Sequence, residues 1–149
     1  MSDNLSLVSC VEKLRKGRVL CVGDVMLDRF VYGEVERISP EAPIPVFHIL
    51  SENVMLGGAG NVARNIAGLG AKTHFISVVG NDQAGRDLTN QIGELRNLDA
   101  RLITDPSRKT SIKTRYIASG QQMMRADEET VSPINEHVKN MVLDALALG

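Results

Sequence analysis

Two unbroken apolar runs, RVLCVGD over Arg18–Asp24 and THFISVVG over Thr73–Gly80, constrain this chain more than any other feature. Neither alternates polar with apolar residues. Each therefore reads as a strand buried on both faces, and such strands belong to parallel sheets covered by helices. Helical patterns stand where that covering requires them. AGNVARNIAGLGA places Val62, Ala63, Ile66, Ala67 and Leu69 on one side with Gly70 as its stop, AGRDLTNQIGELRNL is a second helix, and ARLIT is a third strand. Leu5, Val8, Val11 and Leu14 recur at helical spacing before the first strand, and SPINEHVKNMVLDALALG closes the chain as a helix with Ser132 at its N-cap and Pro133 in its first turn. The expected fold is α/β, a Rossmann-like parallel sheet flanked by helices.

Two segments break that rhythm. DRFVYGEVERISPEAPIPVFHIL holds three prolines and alternates polar with apolar residues, and KTSIKTRYIASGQQMMRADEE alternates and breaks at Ser119-Gly120. Both suit exposed hairpins better than central strands. The segments, about residues 29–55 and 108–128, are expected to pair with each other as a small accessory sheet. A lid over the carboxyl ends of the parallel strands is the natural place for it.

With 149 residues the chain can own one core. Its net charge of -1 and aromatic content of 3%, with no Trp, give no electrostatic or stacking reason to expect nucleic acid as a partner. No run approaches the length of a membrane helix, and no signal peptide is legible. Cys10 and Cys21 lack metal-ligand spacing, and no metal site is expected from the residues present. A cytoplasmic protein fits this composition.

The stretch LGGAGNVARNIAGLG (Leu56–Gly70) packs five glycines around small apolar residues. Gly58, Gly60 and Ala63 formally satisfy G-x-G-x-x-A, with Asp82 downstream as a ribose-binding acid, but SENVML is a short, polar-led approach to the first glycine where that fingerprint needs a buried strand. A Walker A loop fails because no Gly-Lys-Ser/Thr follows. The glycines can instead let backbone N–H groups approach a ligand, while Asn61 can cap a helix or turn its amide toward a hydroxyl. Asp24 and Asp28, after the first strand, stand where a carboxylate can accept hydrogen bonds from sugar hydroxyls. A plain turn or capping role competes for each of these residues.

VLCVGDVMLDRFVYGEVERISPEAPIPVFHI, GGAGNVARNIAGLGA, VVGNDQAGRDL and TSIKTRYIASGQQMMRAD together, in that order and spacing, resemble the N-terminal part of the ribokinase-like (PfkB) sugar kinases, and more narrowly those acting on heptose 7-phosphate. The resemblance runs from about Arg18 to Asp127. It implies an ATP-dependent kinase that phosphorylates the anomeric hydroxyl of a heptose 7-phosphate for the lipopolysaccharide core. It also implies that Asp28, Gly57, Gly58 and Asn61 hold the sugar, and that the excursions form a β-lid through which the protein makes a homodimer.

A phosphorylated substrate needs cations at its far end. Lys113, Arg115 and Arg125 lie on the second hairpin, with Lys113 and Arg115 on one strand face, and Arg29 and Arg37 are further candidates on the first excursion. Solvated edge-strand charge is the competing reading. The resemblance places ATP and Mg2+ on the complete enzyme, with a Gly-Ala-Gly-Asp element supplying the base. Here GAGN at Gly58–Asn61 ends in an amide, which cannot take a proton. The expectation is that the catalytic half lies beyond Gly149, that the sheet is incomplete, and that this chain alone binds ATP poorly and is inactive. Another ribokinase-like sugar kinase and a non-catalytic dimerising lid module remain as alternatives.

Overall fold

The computed structural model describes residues 2–147, with side chains from residue 7 onward. Met1, and Leu148 and Gly149 to which the sequence reading extends the last helix, lie outside them, as does the Leu5 side chain. The elements follow in the order α1 (Ser2–Leu14), β1 (Arg18–Val22), β2 (Val25–Ile38), β3 (Pro45–Gly58), α2 (Ala59–Gly68), β4 (Lys72–Gly80), α3 (Gln83–Gly93), β5 (Leu98–Asp105), β6 (Ser111–Ala118), β7 (Gln121–Glu128) and α4 (Glu136–Ala147).

The two apolar runs become β1 and β4, which pair in parallel, and β4 pairs in parallel with β5 to give the order β1-β4-β5. Helices cover both faces of β4, which explains its lack of alternation, whereas β1 is an edge strand with Leu20 and Val22 exposed and is not buried on both faces as its apolar run suggests. On one face Phe75 and Val79 meet Ala63 of α2 and Leu88 and Ile92 of α3. On the other, Ile76 and Ile103 meet Val138 and Ala145 of α4.

The excursions pair as a separate four-stranded sheet in the order β3-β2-β6-β7. The parallel pairing of β2 with β6, from Met26↔Ser111 to Gly33↔Ala118, joins the two hairpins. Positive φ at Ser119 (50°) and Gly120 (76°) makes the tight turn between β6 and β7 where the sequence breaks its alternation. The first hairpin of this sheet begins earlier and ends later than the sequence suggests. β2 starts at Val25 and stays paired with β3 as far as Val25↔Gly58. The glycine pair is thus the end of a strand.

The sheets share one core. Val25, Leu27 and Leu56 of the four-stranded sheet lie in the same buried cluster as Phe75, Val79 and Leu88. The Val25 N–H also donates to the Ser77 Oγ of β4 at 3.0 Å, in a buried position. Alternation along β2 follows from this seat: Val25, Leu27 and Val31 are buried, whereas Met26, Asp28 and Phe30 are half-buried on the opposite face.

One helix cap and one helix start differ from the sequence reading. Gly58, with φ 56° and ψ -134°, is the N-cap of α2, and no side chain caps that helix, so Asn61 stands inside the first turn. α4 begins at Glu136, where Asn135 Oδ1 accepts from the Val138 N–H at 2.9 Å, leaving Ser132 and Pro133 in the connection. Asn135 is as good a cap as Ser132 and sits next to the apolar periodicity.

Candidate functional site

The half-buried face of β2 carries Asp28, and its neighbours on that face come from three other strands. The register sets Asp28 beside Lys113 and Phe30 beside Arg115 across β2 and β6, then Lys113 beside Asp127 and Arg115 beside Arg125 across β6 and β7. Paired residues share a sheet face, so one charged surface spans β2, β6 and β7. Asp28 Oδ1 accepts from Arg115 Nη1 at 2.6 Å. The guanidinium also lies over the Phe30 ring, 5.1 Å from its centroid, which holds the planar group in place.

Gly57 completes the seat from β3. A Cβ built on it would stand 2.5 Å from Asp28 Oδ2 and 2.7 Å from Met26 Cγ, so a side chain there would displace the carboxylate. Gly58 turns the chain from β3 into α2, and its N–H neighbour Ala59 donates to the Asp24 carbonyl at 2.9 Å. Its positive φ and a would-be Cβ 2.5 Å from the Asp24 carbonyl oxygen both require glycine.

Lys113 Nζ reaches Asp127 Oδ2 at 2.9 Å and Glu129 Oε2 at 3.3 Å. Hydrogen bonding to Asp127, helped by Glu129, pushes the Lys113 ammonium above the ordinary lysine value against the opposing effect of burial. The Lys113 contact likewise holds the Asp127 carboxyl below the usual carboxylate range. Arg125 Nε reaches the second Asp127 oxygen at 2.9 Å. The three cations the sequence singled out thus share one face, and each is engaged by a carboxylate.

The other candidates lie elsewhere. Asn61 Oδ1 accepts from Arg64 Nη2 at 2.8 Å and from Asn65 Nδ2 at 3.4 Å, both on its own helix. Arg29 follows Asp28 directly in β2 and so points to the other face. Arg37 is nine residues along the same strand, about 30 Å away at the rise of a β-strand. Asp82 is no ribose ligand: it caps α3, accepting from the Gly85 N–H at 2.9 Å and from the Thr110 N–H at 2.8 Å. The strand before the glycines is β3, antiparallel to β2, so the dinucleotide arrangement of a parallel strand entering a glycine turn is not present.

Sequence reasoning missed Phe30, Asp127 and Glu129. Their signal is visible only once register is known: K-x-R on one strand and R-x-D on the next interlock when Lys113 faces Asp127.

A cleft of about 550 Å³ opens beside this face, at the carboxyl ends of β1 and β4. Asp24, Met26, Ser77, Lys109, Ser111 and Glu129 line it. Met26 also lies against Gly57 and Gly58, and Glu129 reaches Lys113, but Asp28, Gly57, Gly58, Asn61, Lys113, Arg115 and Arg125 do not themselves line the cleft. A bound polyol here could receive hydrogen bonds from backbone N–H groups and donate its own to carboxylates.

Comparison with known proteins bears on this arrangement. The profile of the pfkB family carbohydrate kinases matches residues 16–147. The bifunctional protein HldE of Paramagnetospirillum magneticum is 56% identical over 143 residues, which cover 96% of this chain and 29% of that protein. HldE of Rhodospirillum rubrum is 48% identical over 143 residues, with the same shares covered. This chain therefore spans under a third of the length of these curated relatives. Among solved structures, the Escherichia coli phosphofructokinase-2 in complex with fructose-6-phosphate superposes with a TM-score of 0.63 at 21% identity, over 90% of this chain and 42% of that one. A carbohydrate kinase from Agrobacterium tumefaciens superposes with a TM-score of 0.60 at 22% identity, over 75% of this chain and 35% of that one. These two show the fold, a ribokinase-like sheet with flanking helices.

Proposed function

The chain belongs to the pfkB family of carbohydrate kinases, and from that premise we propose that it carries the sugar-holding part of a kinase acting on a heptose 7-phosphate. One observation carries the reading: Asp28 is fixed by Arg115 on a sheet face where Gly57 leaves room for nothing but the carboxylate. A carboxylate held this way is preorganised to accept hydrogen bonds from sugar hydroxyls at little further cost in side-chain entropy. Lys113, Arg115 and Arg125 offer the cations that a 7-phosphate needs.

Phosphoryl transfer also requires a nucleotide, a metal ion and a base. ATP with Mg2+ would supply the phosphoryl group in the whole protein, giving heptose 1,7-bisphosphate on the way to ADP-heptose and the lipopolysaccharide core. The residue at the start of α2 supports the reading that the base is supplied elsewhere in the whole protein. At the start of α2 the side chain is the Asn61 amide, which cannot take a proton. This chain's own work is to bind and orient the sugar, in a cytoplasmic protein that dimerises through the four-stranded sheet.

Isothermal titration of the chain with D-glycero-D-manno-heptose 7-phosphate and with the same heptose lacking phosphate tests the reading. The expected result is tighter binding of the phosphorylated sugar, lost on Asp28→Ala, and no phosphorylation by this chain when ATP and Mg2+ are added. Preference for the unphosphorylated sugar would move the assignment to another sugar kinase of the same fold.

A further inference from the structure

The charged face holds three carboxylates, Asp28, Asp127 and Glu129, against three cations, Lys113, Arg115 and Arg125. As it stands the face carries no surplus positive charge for a phosphate. A dianionic ester can take Lys113 only if a carboxylate gives way.

The three acids differ in how firmly they are held. Asp28 is bound by Arg115 and enclosed by Gly57. Asp127 lies within β7 and is shared between Lys113 and Arg125. Glu129 lies just past the end of β7, its side chain is 41% exposed, and its contact with Lys113 is the longer of the two at 3.3 Å. Glu129 also lines the 550 Å³ cleft, whereas Lys113 does not. A ligand seated in that cleft meets Glu129 before it meets Lys113.

We infer that Glu129 is a displaceable occupant of the Lys113 ammonium and sets how strongly the site prefers a phosphorylated over an unphosphorylated sugar. The inference rests on the proposed sugar-phosphate reading. A phosphate ester carries about -1.5 to -2 charge and three acceptor oxygens, so it can outcompete one carboxylate at 3.3 Å that no strand pairing restrains. A weaker anion cannot, and the face stays closed to it. Displacement breaks no strand hydrogen bond, because the backbone of Glu129 is outside the ladder.

The test is titration calorimetry of the chain with heptose 7-phosphate and with unphosphorylated heptose, on wild type, Glu129→Gln, Glu129→Ala and Lys113→Met. Removing the competing charge is expected to raise the preference for the phosphorylated sugar about threefold in both Glu129 variants, the size expected for one exposed ion pair. Lys113→Met is expected to erase most of that preference. If Lys113→Met loses the preference but neither Glu129 variant gains any, the inference fails and the phosphate reading stands. If Lys113→Met discriminates as wild type does, or if neither sugar binds wild type, the phosphate reading fails and the inference with it. Unchanged thermal midpoints in the two Glu129 variants exclude loss of fold as the cause.

Discussion

Gly57 and Gly58 are adjacent, and the same added methyl group would do different damage at each. At Gly57 the intruding Cβ meets side-chain atoms, the Asp28 carboxylate and Met26 Cγ, which can move. Asp28 moves only by giving up Arg115. At Gly58 the Cβ meets the backbone oxygen of Asp24 at 2.5 Å, with φ at +56°, and neither can yield without shifting the turn. Gly57→Ala is therefore expected to lower sugar affinity about tenfold with a modest stability loss of about 1 kcal/mol. Gly58→Ala is expected to lose about 2–3 kcal/mol of stability through backbone strain. Urea denaturation and sugar titration on both variants separate the two, and equal stability losses would contradict the assignment. At this scale part of the candidate site was legible. Asp28 after a buried strand and the paired glycines are local signals. The carboxylates engaging the cations were not legible, because which acid faces Lys113 depends on a register between strands that only the folded sheet sets.

At the scale of elements, the sequence shows the parallel strands and helices through their apolar periods, and the hairpin turn through Ser119-Gly120. It misplaces the start of α4 because two capping residues, Ser132 and Asn135, stand close together, and it misses the cap of α2 because that helix is entered through a glycine conformation that no side chain advertises. Where an element starts also governs how the two sheets are joined. Asp82 caps α3 through the Gly85 N–H and, with its other oxygen, accepts from the Thr110 N–H just before β6. Thr110 Oγ1 in turn accepts from the Gly80 N–H at 2.8 Å. Burial raises the Asp82 carboxyl, but the bonds from Thr110 and Gly85 and the nearby Arg86 outweigh it and hold it below the usual carboxylate range. A depressed carboxyl contributes stability that is present above its unfolded value of about 4 and is lost as pH falls through the folded one. Asp82→Asn turns one of those acceptors into a donor facing an N–H group. It is expected to cost about 1–2 kcal/mol at pH 7, with the gap to wild type closing toward pH 3. Chemical denaturation at both values checks this, and a gap independent of pH would show that the charge plays no part.

The whole molecule is two sheets on one core. Val25, Leu27 and Leu56 reach from the four-stranded sheet into the cluster around Phe75 and Leu88, and Val25 is tied by its N–H to Ser77. A sheet built as an independent unit would have its own core, and this one borrows that of the helices and parallel strands. The two sheets should then unfold together, since Val25, Leu27 and Leu56 of the four-stranded sheet are buried only in the cluster that the parallel strands and helices supply. The composition supplies a clean reporter: the chain has two tyrosines and no tryptophan. Both tyrosines, Tyr32 in β2 and Tyr116 in β6, lie in the four-stranded sheet, with Tyr116 against Phe47 at 5.5 Å between ring centroids. Tyrosine fluorescence therefore reports that sheet alone, while far-ultraviolet circular dichroism is dominated by the helices on the other one. The two urea transitions are expected to coincide in wild type. Leu27→Ala, which empties a position only 1% exposed at the junction, is expected to cost about 2–5 kcal/mol and to move both transitions by the same amount. If the tyrosine signal melts first and Leu27→Ala shifts it alone, the four-stranded sheet folds on a core of its own and the shared cluster is contact without coupling.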